Sequence, residues 1–158
     1  MSVPPSSRPR VGQRGLTIVE LMLALVVVGV LASTSVNAWS GWRERVRVKQ
    51  AQDDIIALSA VIDARWQDTQ TLPADLAAIG RGGMRDPWGR PYRYLALTTP
   101  ASKGAARKDK SLVPLNTDYD LYSMGADGKS AAPLTAKDSR DDILRANNGR
   151  YIGPAVKY

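Results

Sequence analysis

Residues Leu16 to Ala38 read LTIVELMLALVVVGVLASTSVNA, an apolar run carrying a single charge, Glu20. No other feature constrains the fold as strongly. At about 1.5 Å per residue, a helix over this run reaches roughly 34 Å, enough to cross the hydrocarbon core of a bilayer. Trp39 and Trp42 follow it, where an aromatic belt sits at a membrane interface. Ahead of it stands MSVPPSSRPRVGQRG, rich in Pro, Ser and Arg and without an apolar stretch. A secretory signal peptide places its apolar region before the cleavage point, and here the order is reversed. Hydropathy alone leaves an ordinary signal anchor equally open. Glu20 discriminates, because an acid at the centre of a spanning helix costs about 2.5–3.5 kcal/mol and needs a partner or a function. Orientation is not set by flanking charge, since Arg8, Arg10 and Arg14 on one side face Arg43, Arg45, Arg47 and Lys49 on the other.

The junction Arg14-Gly15 followed by Leu16-Thr17-Ile18-Val19-Glu20 resembles the type IV prepilin cleavage and methylation signature. That resemblance implies a prepilin peptidase cutting between Gly15 and Leu16 on the cytoplasmic side, and N-methylation of Leu16. It also implies that Glu20 attracts the terminal amine of a neighbouring subunit during assembly. An ammonium and a carboxylate attract strongly at low dielectric, which fixes the register of otherwise slippery apolar helices. Leu16 stands where the family usually has phenylalanine.

Beyond the run, Val48, Ala51, Ile55, Leu58, Ile62 and Trp66 recur at three- and four-residue steps. Such a stripe marks one apolar helix face. No proline occurs between Leu16 and Leu72, so one helix is expected from Leu16 to about Gln67, with Gly29 and Gly41 as its weak points. PADL at Pro73–Leu76 suits a short helix opening. Strands are expected around Tyr92–Leu97 and Tyr119–Met124, with the basic stretch Ala101–Lys110 as a solvated loop between them. The expected fold is α+β: a long N-terminal hydrophobic helix packed on a small C-terminal antiparallel β-sheet, as in type IV pilins and pseudopilins. The expected organisation is a leader over 1–15, a transmembrane and filament-core half-helix over 16–42, and a periplasmic globular head over 43–158.

Absences narrow the function. The chain has no Cys and no His, which removes disulfides, thiolate chemistry, Ser/His/Asp triads and histidine-based zinc sites. An enzyme is not expected. The net charge of +7 overstates the basicity of the head, because Arg8, Arg10 and Arg14 fall in the acid-free leader. Lys and Arg are otherwise scattered, so nucleic acid is not an expected partner. GADGKS at Gly125–Ser130 looks like a clipped phosphate-binding loop. The full pattern requires Gly where Ser123 stands and a helix after Ser130, and Pro133 opposes that helix.

The segment from Ser123 to Ile143, SMGADGKSAAPLTAKDSRDDI, holds Asp127, Asp138, Asp141 and Asp142. Its oxygens suit calcium, which takes six to eight oxygen ligands from a flexible loop, although an Asp-rich surface turn is more often merely solvated. DPWG at Asp86–Gly89, then YDLYSMGADG, then DDI, following the helix QAQDDIIALSAVIDARWQDTQTLPADL, resembles the major pseudopilin of type II secretion systems over most of the mature chain. The resemblance implies a structural calcium ion held by Asp127, Asp141, Asp142 and the backbone carbonyl of Met124. Asp127 and Asp141 are fourteen positions apart, longer than the family's usual spacing, and Asp138 can substitute as a ligand. It further implies a homo-oligomeric filament, partnered by other pseudopilins and an inner-membrane assembly platform. The chain would be single-pass in the bacterial inner membrane with its head in the periplasm. A pilin of an adhesive, motility or DNA-uptake filament is the neighbouring reading.

Overall fold

The computed structural model describes residues 17–158, without the side chains of 34–38. The leader and the expected cleavage pair Gly15 and Leu16 lie outside the described residues. Helix α1 spans Ile18–Thr69, two residues later at each end than the sequence suggests. The described residues divide into two compact units between Gly41 and Trp42. In the first unit, Ile18, Val19, Leu21, Met22, Leu23, Leu25 and the valines to Leu31 are all exposed. Among the described residues no helix is long and apolar enough to cross a membrane, the apolar run being described with its side chains only as far as Ser33.

In the second unit the helix turns one stripe inward. Ala51, Ile55, Leu58 and Ile62 are buried and Val48 packs against them, as the three- and four-residue spacing requires. Trp66, expected on the same stripe, is 44% exposed. It comes a turn beyond the last fully buried position and lines a shallow cleft with Leu72, Leu97 and Tyr119.

Strands β1 (Arg93–Ala96), β2 (Tyr119–Ser123), β3 (Ile143–Ala146) and β4 (Tyr151–Pro154) form one sheet in sequence order. Every neighbouring pair is antiparallel. Successive side chains on a strand point to opposite faces. Tyr119, Leu121 and Ile143 accordingly join the helix stripe with Leu76 and Tyr92. Leu144 and Ala146 join a second cluster with Leu115, Leu134 and Ala155. Polar anchors tie helix to strands: Tyr92 donates to Asp54 at 2.7 Å, Tyr119 to Asp63 at 3.0 Å, and Gln52 to the Ile152 carbonyl at 3.2 Å. Burial raises the phenol pKa of both tyrosines, so each stays a donor.

The basic stretch between β1 and β2 corrects the expectation of a solvated loop. It opens with a short helix α2 (Pro100–Gly104), capped by reciprocal bonds between Thr99 and Ser102. It then turns inward, burying Ala106 and Arg107. Pro73–Leu76 leads into a single 3₁₀ turn, Ala77–Ile79, with Asp75 accepting from the Ala78 N–H at 2.8 Å.

Candidate functional site

Two places carry the sequence's chemical expectations, one in each unit. In the first, Thr17 precedes α1 and its hydroxyl oxygen accepts from the Glu20 N–H at 3.2 Å, while Leu21 N–H donates to the Thr17 carbonyl at 3.1 Å. Thr17 is thus the N-cap of α1 and Glu20 sits at its third position. The T-x-x-E spacing within LTIVE carries this signal, separate from the hydropathy of the run. It gives Glu20 a local role as well: a carboxylate in the first turn complements the positive end of the helix macrodipole. Glu20 is exposed, as are its apolar neighbours. A helix apolar on all sides has no stable surface in water, so this end requires a lipid or protein environment.

The second place is the aspartate loop. β2 ends at Ser123 and the chain turns through Gly125 and Gly128, both in the left-handed region at φ 61° and 72°. Gly125 is required on contact as well as on backbone grounds. A Cβ there would overlap the Asp141 carbonyl and stand 2.6 Å from its carboxylate Oδ2. Asp141 Oδ2 accepts the Asp127 N–H at 2.9 Å, Asp127 Oδ1 accepts the Lys129 N–H at 2.7 Å, and the Met124 carbonyl accepts the Gly128 N–H at 3.2 Å. The structure therefore sets the Asp141 carboxylate against the turn that carries Met124 and Asp127, through the Asp127 N–H, despite the fourteen-residue separation.

Asp142 behaves differently. It is fully buried at the start of β3, where Oδ2 accepts from Arg107 Nη2 at 2.6 Å and from the Ser130 hydroxyl at 2.6 Å. Arg107 Nη1 donates to the same Ser130 oxygen. Among the described residues, Oδ1 of Asp142 and Nε of Arg107 have no partner, so the ion pair is single-pronged. Burial pushes the Asp142 carboxyl up to about 6, against the lowering exerted by Ser130 and the guanidinium. Asp138 lies exposed on a 3₁₀ turn, Lys137–Ser139.

A second arginine holds the turn from the other side. Arg90 donates to the Gly125 carbonyl at 2.7 Å and the Ala126 carbonyl at 3.2 Å, and its guanidinium fills the space where a Cβ on Gly128 would go. Asp86 orients it by accepting the Arg90 and Trp88 N–H groups at 2.8 and 3.1 Å. Its other oxygen accepts from Ser123 at 2.6 Å. The DPWG element is thus the brace of the GADG turn. Arg90, Arg107 and Ser130 are the residues that sequence reasoning missed. Only Arg90 carried a signal, by adjoining DPWG.

The donor set suits a hard cation, since carboxylates and carbonyls are what calcium prefers. The buried, unpartnered Oδ1 of Asp142 is the kind of oxygen that a cation would satisfy. Among the described residues, no three carboxylates stand together as a group that could hold a metal ion.

Residues 10–36 match the prokaryotic N-terminal methylation motif. Over 138 residues the chain is 31% identical to the type II secretion system core protein G of Pseudomonas aeruginosa, covering 74% of this chain and 86% of that protein. The Escherichia coli protein of the same name is 31% identical over 138 residues, covering 74% of this chain and 84% of that protein. The Vibrio cholerae one is 29% identical over 146 residues, covering 80% and 89%. No solved structure matches the chain.

Proposed function

The chain belongs to the type II secretion system core protein G family, and from that premise we propose that it is the structural pseudopilin whose copies polymerise into the periplasmic pseudopilus of such a system. The observation that carries this reading is the coverage of the likeness. It extends over 86% of the Pseudomonas relative, well beyond the methylation motif that ends at residue 36. On this reading a prepilin peptidase cleaves between Gly15 and Leu16, and Leu16 becomes the methylated terminus. Glu20 then draws in the terminal amine of a neighbouring subunit. The apolar half of α1 anchors the chain in the inner membrane before assembly and lines the filament core afterwards, which would cover the side chains left exposed from Ile18 to Leu31. Other pseudopilins and an inner-membrane platform are its partners, and the head is periplasmic. The reading assigns the chain no catalytic step.

A structural calcium ion belongs to the same proposal. Asp127, Asp141 and the Met124 carbonyl would hold it, with Asp142 contributing through Oδ1 and Asp138 available from the intervening loop. When bound, the ion would cross-link the GADG turn to the start of β3.

The test is genetic complementation in the source organism. A deletion strain is expected to retain its type II cargo in the periplasm, and the wild-type chain restores export while Glu20→Ala does not. Undiminished export in the deletion strain would overturn the reading.

A further inference from the structure

Arg107 lies in a stretch that composition marks as solvated, yet its side chain is only 5% exposed and its partner Asp142 is fully buried. Its backbone is fixed on both sides. The Arg107 N–H donates to Asp120 Oδ2 at 2.6 Å, the Lys108 N–H to the Ala132 carbonyl at 2.8 Å, and Leu134 N–H to the Lys108 carbonyl at 3.0 Å. The guanidinium carbon stands 4.5 Å from the centre of the Tyr122 ring, a cation–π contact on its flank. Ser130 bridges it to the carboxylate. A positive charge has therefore been built into the aspartate loop from a segment 35 positions away.

We propose that Arg107 is the loop's internal counter-ion: it neutralises Asp142 through Oδ2, joins the start of β3 to Ser130, and keeps the head folded without a bound metal. A carboxylate buried without a partner is strongly destabilising, so a loop that depended on calcium alone would open when the ion left. With Arg107 in place the Asp142 carboxylate keeps a buried cationic partner in the metal-free head. The cost is paid in affinity, because a guanidinium beside a ligand carboxylate repels a divalent cation. The affinity half of this inference rests on the calcium reading above; the stability half does not.

The test uses the full chain in detergent micelles, with thermal unfolding followed in EDTA and in calcium chloride, and calcium titrated calorimetrically. In EDTA the wild type unfolds cooperatively, and Arg107→Gln lowers the Tm by about 5–10 °C. Arg107→Lys restores part of the loss, keeping the charge without the planar fork. Arg107→Gln combined with Asp142→Asn restores most of it, because neither charge is then left alone. Calcium binds Arg107→Gln roughly tenfold more tightly than wild type. An Arg107→Gln protein that melts in EDTA like wild type overturns the inference, as does a double variant no more stable than the single one. If Arg107→Gln fails to fold, a folded double variant supports the counter-ion role and an unfolded one overturns it. A depressed Tm in EDTA with no calcium response in any variant sustains Arg107 and removes the calcium reading. A calcium response with an unchanged Arg107→Gln does the reverse.

Discussion

The two halves of α1 share one helix and solve opposite problems. From Ala51 to Ile62 a narrow stripe is buried by the chain's own sheet, and polar residues such as Asp54 and Asp63 are used as anchors for its tyrosines. From Ile18 to Leu31 the side chains other than Glu20 are apolar on every face, and none of the large apolar ones is buried. The first stretch is completed by intramolecular packing, while among the described residues nothing covers the second. A substitution should therefore report on stability in one half and on assembly in the other.

The sharpest break of that contrast is Leu58→Ala. It removes a fully buried side chain and should cost the head about 2–5 kcal/mol, read from urea denaturation. A cost under about 1 kcal/mol would mean that the stripe is not the head's core. Gly125→Ala tests whether the head's self-sufficiency extends to its aspartate loop. The left-handed backbone and the overlap with Asp141 predict a loss of about 2–3 kcal/mol in the same assay. Thr17→Ala acts at the opposite end of the helix. Loss of the cap should raise amide exchange in the first turn of α1, for about 1 kcal/mol locally, and leave the head's unfolding midpoint unchanged. The smallest stability effect belongs to Leu25→Ala, whose side chain is 70% exposed: within about 0.5 kcal/mol on head unfolding. Crosslinked filament ladders from cells should nevertheless shorten. Normal ladders would show that the exposed half does not hold subunits together.

The same contrast governs what is legible in the sequence. Periodicity is a local signal, so the buried stripe, the long helix and the first two strands were legible. Trp66 falls outside the buried stripe, because periodicity does not say where the sheet beneath a helix ends. The one sequence signal for β3 and β4 is Asn147-Asn148-Gly149 between them, which all take positive φ, the turn chemistry of a hairpin. Gly153 and Pro154 obscured the alternation of the second strand. α2 had its signal in Thr99-Pro100 and Ser102, a cap with proline at the first turn. In the loop, Met124, Asp127, Asp141 and Asp142 can be nominated by family likeness, but Arg107 cannot. Its partner lies 35 positions away, and a basic residue among alanines and lysines reads as surface until the fold closes over it.

Asp54 and Asp63 sit nine residues apart on α1 and are gripped by β1's neighbour Tyr92 and by Tyr119 of β2, with Ile55, Leu58 and Ile62 packed between them. Traction along the helix axis would load these contacts side by side, in shear, so that none can open before the others. A subunit drawn by its helix would thus carry its head as a rigid handle, and extension of a single molecule pulled along α1 should show one abrupt rupture in place of a staircase.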